Sequence, residues 1–149
     1  MSNISVPFHG LATELHSTAA IGGTIDASTK IAEVASVGTL ELSANIIEFN
    51  SYGSDYKRKL VGQKDSGTLS LTLNFVPGDT SHTALKAKYD SGVASTFAVR
   101  WVSGSENATA EFTGYVASFS METPAEDIVT ATVELAIDGG VTFDLTTAV

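Results

Sequence analysis

The chain has no cysteine among its 149 residues. That excludes a disulfide framework, thiolate metal sites and a cysteine nucleophile, and it fits assembly in a reducing compartment. Basic residues are scarce: 8 Lys and Arg stand against 17 Asp and Glu, a formal net charge of −9. An acidic body of this kind repels nucleic acid rather than gripping it. No apolar run approaches the roughly 18 residues of a membrane span, so none is expected. The opening "MSNISVPFHG" has neither a positive n-region nor an apolar h-region, and no signal peptide is expected.

Catalytic signatures are missing too. There is no G-x-S-x-G elbow, no H-E-x-x-H, no G-x-x-x-x-G-K and no G-x-G-x-x-G. Of the histidines, His9 and His16 would point to opposite faces of one strand and could not share a metal. His82 falls in the first turn of an expected helix, where a polar surface residue is the expected role. Glu126 and Asp127 are adjacent, so on a strand their carboxylates diverge. Asn3-Ile4-Ser5 and Asn107-Ala108-Thr109 match the glycosylation sequon, and with no secretory signal expected both are read as chance matches. No enzyme, no cofactor and no metal is expected.

What is present reads as short strands. The length suits one domain, 1–149, burying about 70% of its unfolded surface without staples. In "SGTLSLTLNF", Leu69, Leu71, Leu73 and Phe75 alternate with Thr68, Ser70, Thr72 and Asn74, the period-2 pattern of a half-buried strand. Further strands are expected near Leu11–Ser17, Ile31–Val37, Leu42–Asn50, Thr96–Val102, Ala110–Met121, Ile128–Ile137 and Val141–Leu145. Asp138-Gly139-Gly140 reads as a hairpin turn between the last two. Val129, Ala131, Val133, Leu135 and Ile137 form a core face, with small, sparsely charged residues opposite. Tyr115, Ala117, Phe119 and Met121 are read as one face and Phe112 and Val116 as the other. Trp101, alternating with Phe97 and Val99, is assigned to the core.

One helix interrupts the pattern, at about Thr80–Ser91. Pro77 stops the preceding strand, Asp79 or Thr80 caps the first turn, and Gly92 suits the left-handed position after the last. Leu85 and Tyr89 make a narrow apolar stripe, with Lys86 and Lys88 facing away. Four of the eight bases, Lys57, Arg58, Lys59 and Lys64, fall inside "YKRKLVGQK", in a polar stretch Asn50–Asp65 expected to be a mobile loop. Given the global charge, contact with an acidic partner is favoured there over nucleic-acid binding.

The ordered set of Pro77-Gly78-Asp79, Ala84-Leu85, Tyr89 and Gly92 after an alternating strand, then "STFAVRW" and "FTGYVASFSMETPAEDIVTATVELAIDGGVTF", resembles the tail tube proteins of lambda-like bacteriophages. The resemblance covers most of the chain, and no immunoglobulin-like C-terminal domain of the kind some relatives carry is expected. It implies a mainly β subunit, sandwich- or barrel-like, with one short flanking α-helix. Six such subunits would form a ring, and rings would stack into the hollow tail tube of a virion, assembled in the host bacterial cytoplasm. DNA would pass through the lumen without specific binding. Other partners would be the tape measure, tail tip and tail terminator proteins, with no membrane involved. Tyr52, Tyr56, Lys57, Arg58, Lys59 and Lys64 would then lie in a loop between subunits or rings. Leu85 and Tyr89 would pack the helix at a subunit seam. Ser118, Ser120, Glu122, Thr130, Thr132 and Glu134 would line the lumen. Alternatives are the ring protein of a contractile tail or type VI-like tube, and a monomeric β-sandwich module, for instance for carbohydrate, with Tyr52 and Tyr56 as its exposed aromatics.

Overall fold

The computed structural model describes residues 13–19, 21–103 and 106–144. The strands are β1 (Thr13–Ser17), β2 (Val34–Val37), β3 (Ser43–Phe49), β4 (Arg58–Asp65) and β5 (Thr68–Asn74). Helix α1 (Thr80–Ser91) follows, then β6 (Ser95–Ser103), β7 (Glu106–Glu122) and β8 (Thr130–Asp144). The fold is mainly β with one helix, as expected. His9, and the ends of two expected strands at Leu11 and Leu145, lie outside the described residues.

Six strands form one antiparallel sheet in the order β1-β6-β7-β8-β5-β2, and β3 pairs with β4 in a separate hairpin. The sheet curls until its edges nearly meet. Ile31 N–H donates to Leu15 O at 2.8 Å, and His16 bridges to Lys30. Side chains reinforce that seam: Glu14 takes Lys30 Nζ on one carboxylate oxygen and His16 Nε2 on the other, each at 3.2 Å. His16 is itself buried and also contacts Thr29 through Nδ1 at 3.1 Å.

The interior is filled from every strand of the sheet. Leu15, Leu69, Leu71, Leu73, Phe97, Val99, Phe112, Val116, Ala131, Val133 and Leu135 are buried together, and Phe97 stacks on Phe112. Trp101, Phe119 and Ile137 pack against this cluster from its margin. Phe119 therefore does not share a face with Tyr115. The β7–β8 register shifts between Val116 and Ser118, so parity flips there, and Phe112, Val116 and Phe119 all reach the core. A second shift, between Glu111 and Thr113, corrects the expected hairpin at Asp138-Gly139-Gly140. That segment is a bulge inside one long strand, and Gly139 supplies the φ of +83° it needs.

Helix α1 begins and ends where its residues dictate. The Asp79 carboxylate accepts from Ser81 N at 2.9 Å and His82 N at 3.4 Å, and Gly92 closes the helix at φ +67°. Bonds to Ser81 hold the Asp79 carboxyl below its usual range. Leu85 is fully buried in the subunit's own core. His82, contrary to its expected surface role, is buried, because the helix start folds under the β2 lead-in. Its Nδ1 accepts from Val76 N–H at 3.1 Å, its Nε2 donates to Ala32 O at 2.7 Å, and its ring stacks on Phe75. Lys88 does not face away either: its ammonium sits over the Phe97 ring, 5.7 Å from the centroid, and donates to Ser17 Oγ at 2.6 Å. Burial pushes its pKa down. Tyr89 is 44% exposed, with Lys86 Nζ above its ring, so the expected two-residue stripe is a one-residue anchor. Leu85→Ala should therefore lower the unfolding free energy of the free subunit by about 2–5 kcal/mol. Tyr89→Ala should cost less than about 1 kcal/mol in the same urea titration, and equal losses would refute this assignment.

Candidate assembly interface

The stretch expected to be a loop is half of a hairpin. β4 carries Arg58, Lys59 and Lys64, while Tyr52, Tyr56 and Lys57 occupy the connection from β3. The register pairs Ile46 with Val61, Ile47 with Leu60, Glu48 with Lys59 and Phe49 with Arg58. A shift beside Ala44 falls opposite Gly62, which breaks the alternation of "KRKLVGQK" and hides the strand from a pattern reading. Adjacent residues point to opposite faces, so Ile46 and Val61 make one face apolar and Ile47 and Leu60 the other. All four lie 49–62% exposed, and Tyr52 and Tyr56 stand fully out at the tip.

A two-stranded ribbon bare on both faces is marginal in water. Its internal ties are weak: Lys59 meets Glu48 at 3.5 Å, Lys57 meets it at 4.0 Å, and the Arg58 guanidinium sits over Phe49. Solvated pairs of this kind contribute at most about 1 kcal/mol. Residues 43–65 hold four bases and three acids, net +1, so the remainder of the −9 chain carries −10. Sign is thus segregated between hairpin and body.

The second surface is the outer face of the sheet. Ser118 pairs with Glu134, Ser120 with Thr132 and Glu122 with Thr130. All six residues expected on one face are brought together there. β5 extends the same face, with Ser70 opposite Glu134, Thr72 opposite Thr132 and Asn74 opposite Thr130. Ser118 Oγ donates to Glu134 Oε2 at 3.4 Å and Ser120 Oγ to Thr132 O at 3.3 Å. These two hydroxyls are tied across to β8, and none of the positions on this face is Lys or Arg.

Nothing comparable assembles for chemistry. Among the described residues, no three His, Cys, Asp or Glu gather as a metal site. One cleft of about 450 Å³ is lined by Arg100, Asn107, Glu111 and Asp144 among others and holds no histidine.

The overall fold is similar to that of chains in a phage tail tube and in injection machines. The chain is similar to the SPP1 tail tube, with a TM-score of 0.67 and 16% identity over 95% of this chain and 81% of that one. It is similar to a chain of the PVC extracellular contractile injection system's sheath–tube complex in the extended state (TM-score 0.72, 18% identity, 96% and 95% covered). It is also similar to a chain of the gene transfer agent tail refined with C6 symmetry (TM-score 0.66, 14% identity, 91% and 98% covered). No curated protein matches it. Residues 18–143 match the lambda phage tail tube protein family, and the chain belongs to that family.

The hairpin's apolar residues serve no interior of their own subunit. Ile47→Ser with Leu60→Ser should leave the free subunit's melting temperature within about 2 °C of wild type, about 0.5 kcal/mol on a domain this size. A large drop would mean that the hairpin is covered intramolecularly.

Proposed function

We propose that six copies close into a ring, that rings stack into the tube of a long non-contractile phage tail, and that the genome leaves through its lumen. Membership of the lambda tail tube family supports the tube, and the C6 symmetry of the similar gene transfer agent tail supports six. The observation that carries self-assembly is the hairpin with two apolar faces that none of the described residues covers. Tyr52, Tyr56 and the bases Lys57, Arg58, Lys59 and Lys64 then contact a neighbouring subunit or ring. Tyr89, left half exposed beside the buried Leu85, is the helix residue available at a lateral seam. Tape measure, tip and terminator proteins complete the tail, within a virion assembled in the bacterial cytoplasm. A structural family favours a role without catalysis.

Negative-stain microscopy of the purified chain should show rings or tubes; a small featureless particle at every concentration overturns the reading. Trypsin should cut at Lys57, Arg58, Lys59 or Lys64 in free subunits and be excluded in tubes, and equal cutting in both forms would count against hairpin contacts. The likeness to the contractile injection tube supports a second reading, in which a sheath surrounds the tube. Micrographs of native particles decide between them by the presence of that sheath.

The outer sheet face is assigned to the lumen. At physiological salt charges are screened beyond about 8 Å, so DNA in the channel feels the wall and not the subunit's net charge. A wall of Ser, Thr and two glutamates, Glu122 and Glu134, offers phosphates no cation to bind. Glu134→Lys should leave folding intact and make tubes retain DNA in a salt-sensitive way. Wild-type ejection by that mutant, or a tube structure with Glu134 on the outer wall, removes the assignment.

A further inference from the structure

β5 has the hairpin at its first residue and a different surface at its last. At the hairpin end, Ser66 Oγ donates to Gly139 O at 2.8 Å, and Ile137 N–H donates to Gly67 O at 3.2 Å. At the far end, Phe75 N–H donates to Val129 O at 2.9 Å, which joins the β5–α1 turn to the β7–β8 turn. That junction forms a rim in which Val76, Met121 and Ile128 are 41%, 49% and 59% exposed. Glu122, Glu126 and Asp127 adjoin them in the chain, all exposed, and none makes an ion pair among the described residues. Seven residues of strand, about 23 Å, separate the two ends.

We propose that the hairpin of one subunit seats on this rim of a second copy. Lys57, Arg58, Lys59 and Lys64 would meet Glu122, Glu126 and Asp127, and one aliphatic face of the hairpin would cover Val76, Met121 and Ile128. This rests on the tube reading and names its stacking contact. Three features select the occupant. The hairpin holds four of the eight bases of an acidic chain, and the rim carries exposed apolar side chains among carboxylates without ion-pair partners among the described residues. Both surfaces mix bare aliphatics with charge of opposite sign, so apolar burial and ion pairing are satisfied by one docking. They also lie at opposite ends of β5 and do not touch within the subunit. Two complementary patches at opposite ends of one molecule make a heterologous, head-to-tail contact, which repeats without limit. That is the symmetry of a stack.

Charge exchange tests it in the full-length chain. The hairpin variant K57E/R58E/K59E and the rim variant E122K/E126K/D127K should each melt like wild type. Like charges then face each other, and each should raise the concentration needed for polymerisation about tenfold or more. High salt should narrow that gap by screening. Mixing the two variants should restore tubes, because each one's hairpin then meets an oppositely charged rim on the other. Combining all six changes in one chain should restore them too, which also shows that the substituted chain folds. Wild-type polymerisation by the rim variant, or failure of both the mixture and the combined chain, overturns this contact while leaving the tube reading standing. A wild-type chain that never polymerises removes both.

Discussion

The antiparallel pairing of β7 with β8 decides which way nearly every functional side chain points. Because side chains alternate, a slip of one residue would carry Val133 and Leu135 out of the core and Thr132 and Glu134 into it. Both strands are long, and a register defined over their first turns would drift without correction. Two register shifts supply it. The one past Val116 brings Phe119 back over the core and sets Ser118 opposite Glu134. The one at Gly139 bends β8 where β4 approaches it and the hairpin departs. Gly114 belongs to the same device: a Cβ there would lie 2.6 Å from Ala136 O, so the close crossing of β7 over β8 excludes any side chain. Core, smooth outer face, hairpin base and acidic rim are all fixed by this one ribbon.

The sheet manages its edges unevenly. β1 and β2 are drawn together through the Ile31–Leu15 bond and the Glu14, Lys30, His16 cluster, so neither is left as a long bare template. Partial burial raises the Glu14 carboxyl, but bonds from Lys30 and His16 outweigh it and hold the pKa below its ordinary value. A depressed carboxylate contributes stability above its unfolded pKa and loses it as pH falls through the folded one, so the seam weakens in acid. His82 ties the same region from below, joining the helix start to Ala32. The hairpin, by contrast, receives no cover from the described residues. A chain that closes one edge so thoroughly and leaves both faces of a ribbon open has its free surface concentrated in one place.

Signals local in sequence were legible and signals that depend on distant partners were not. Asp79 and Gly92 bracket α1 because capping needs only the residues at the helix ends. Alternation in β5 and β8 named their core faces correctly, since both strands are regular where they pair. The Gly139-Gly140 pair misled because a bulge and a hairpin turn ask for the same positive φ. β4 was hidden by its bulge at Gly62 and by bases that look like a loop's. His82 sits one turn into a helix, where exposure is the common outcome, and only the fold shows Ala32 and Phe75 closing over it. The six outward residues of β7 and β8 were grouped correctly from parity because they lie beyond the bulge at Ala117, not across it.

A subunit meant to remain alone would spread its charge and hide its aliphatics. Here they are distributed for repetition. Net −10 on the body keeps free copies apart at long range, which slows unproductive association. The hairpin's small positive excess and bare aliphatic faces reverse that repulsion only at close range and only in one orientation. Long-range repulsion with short-range, directional attraction favours ordered addition to a growing end over aggregation of free subunits. The same segregation accounts for the outer sheet face. Its charges are few and negative and, apart from Glu122 at the rim end, it offers another copy little to hold, which suits the lumen role proposed for it.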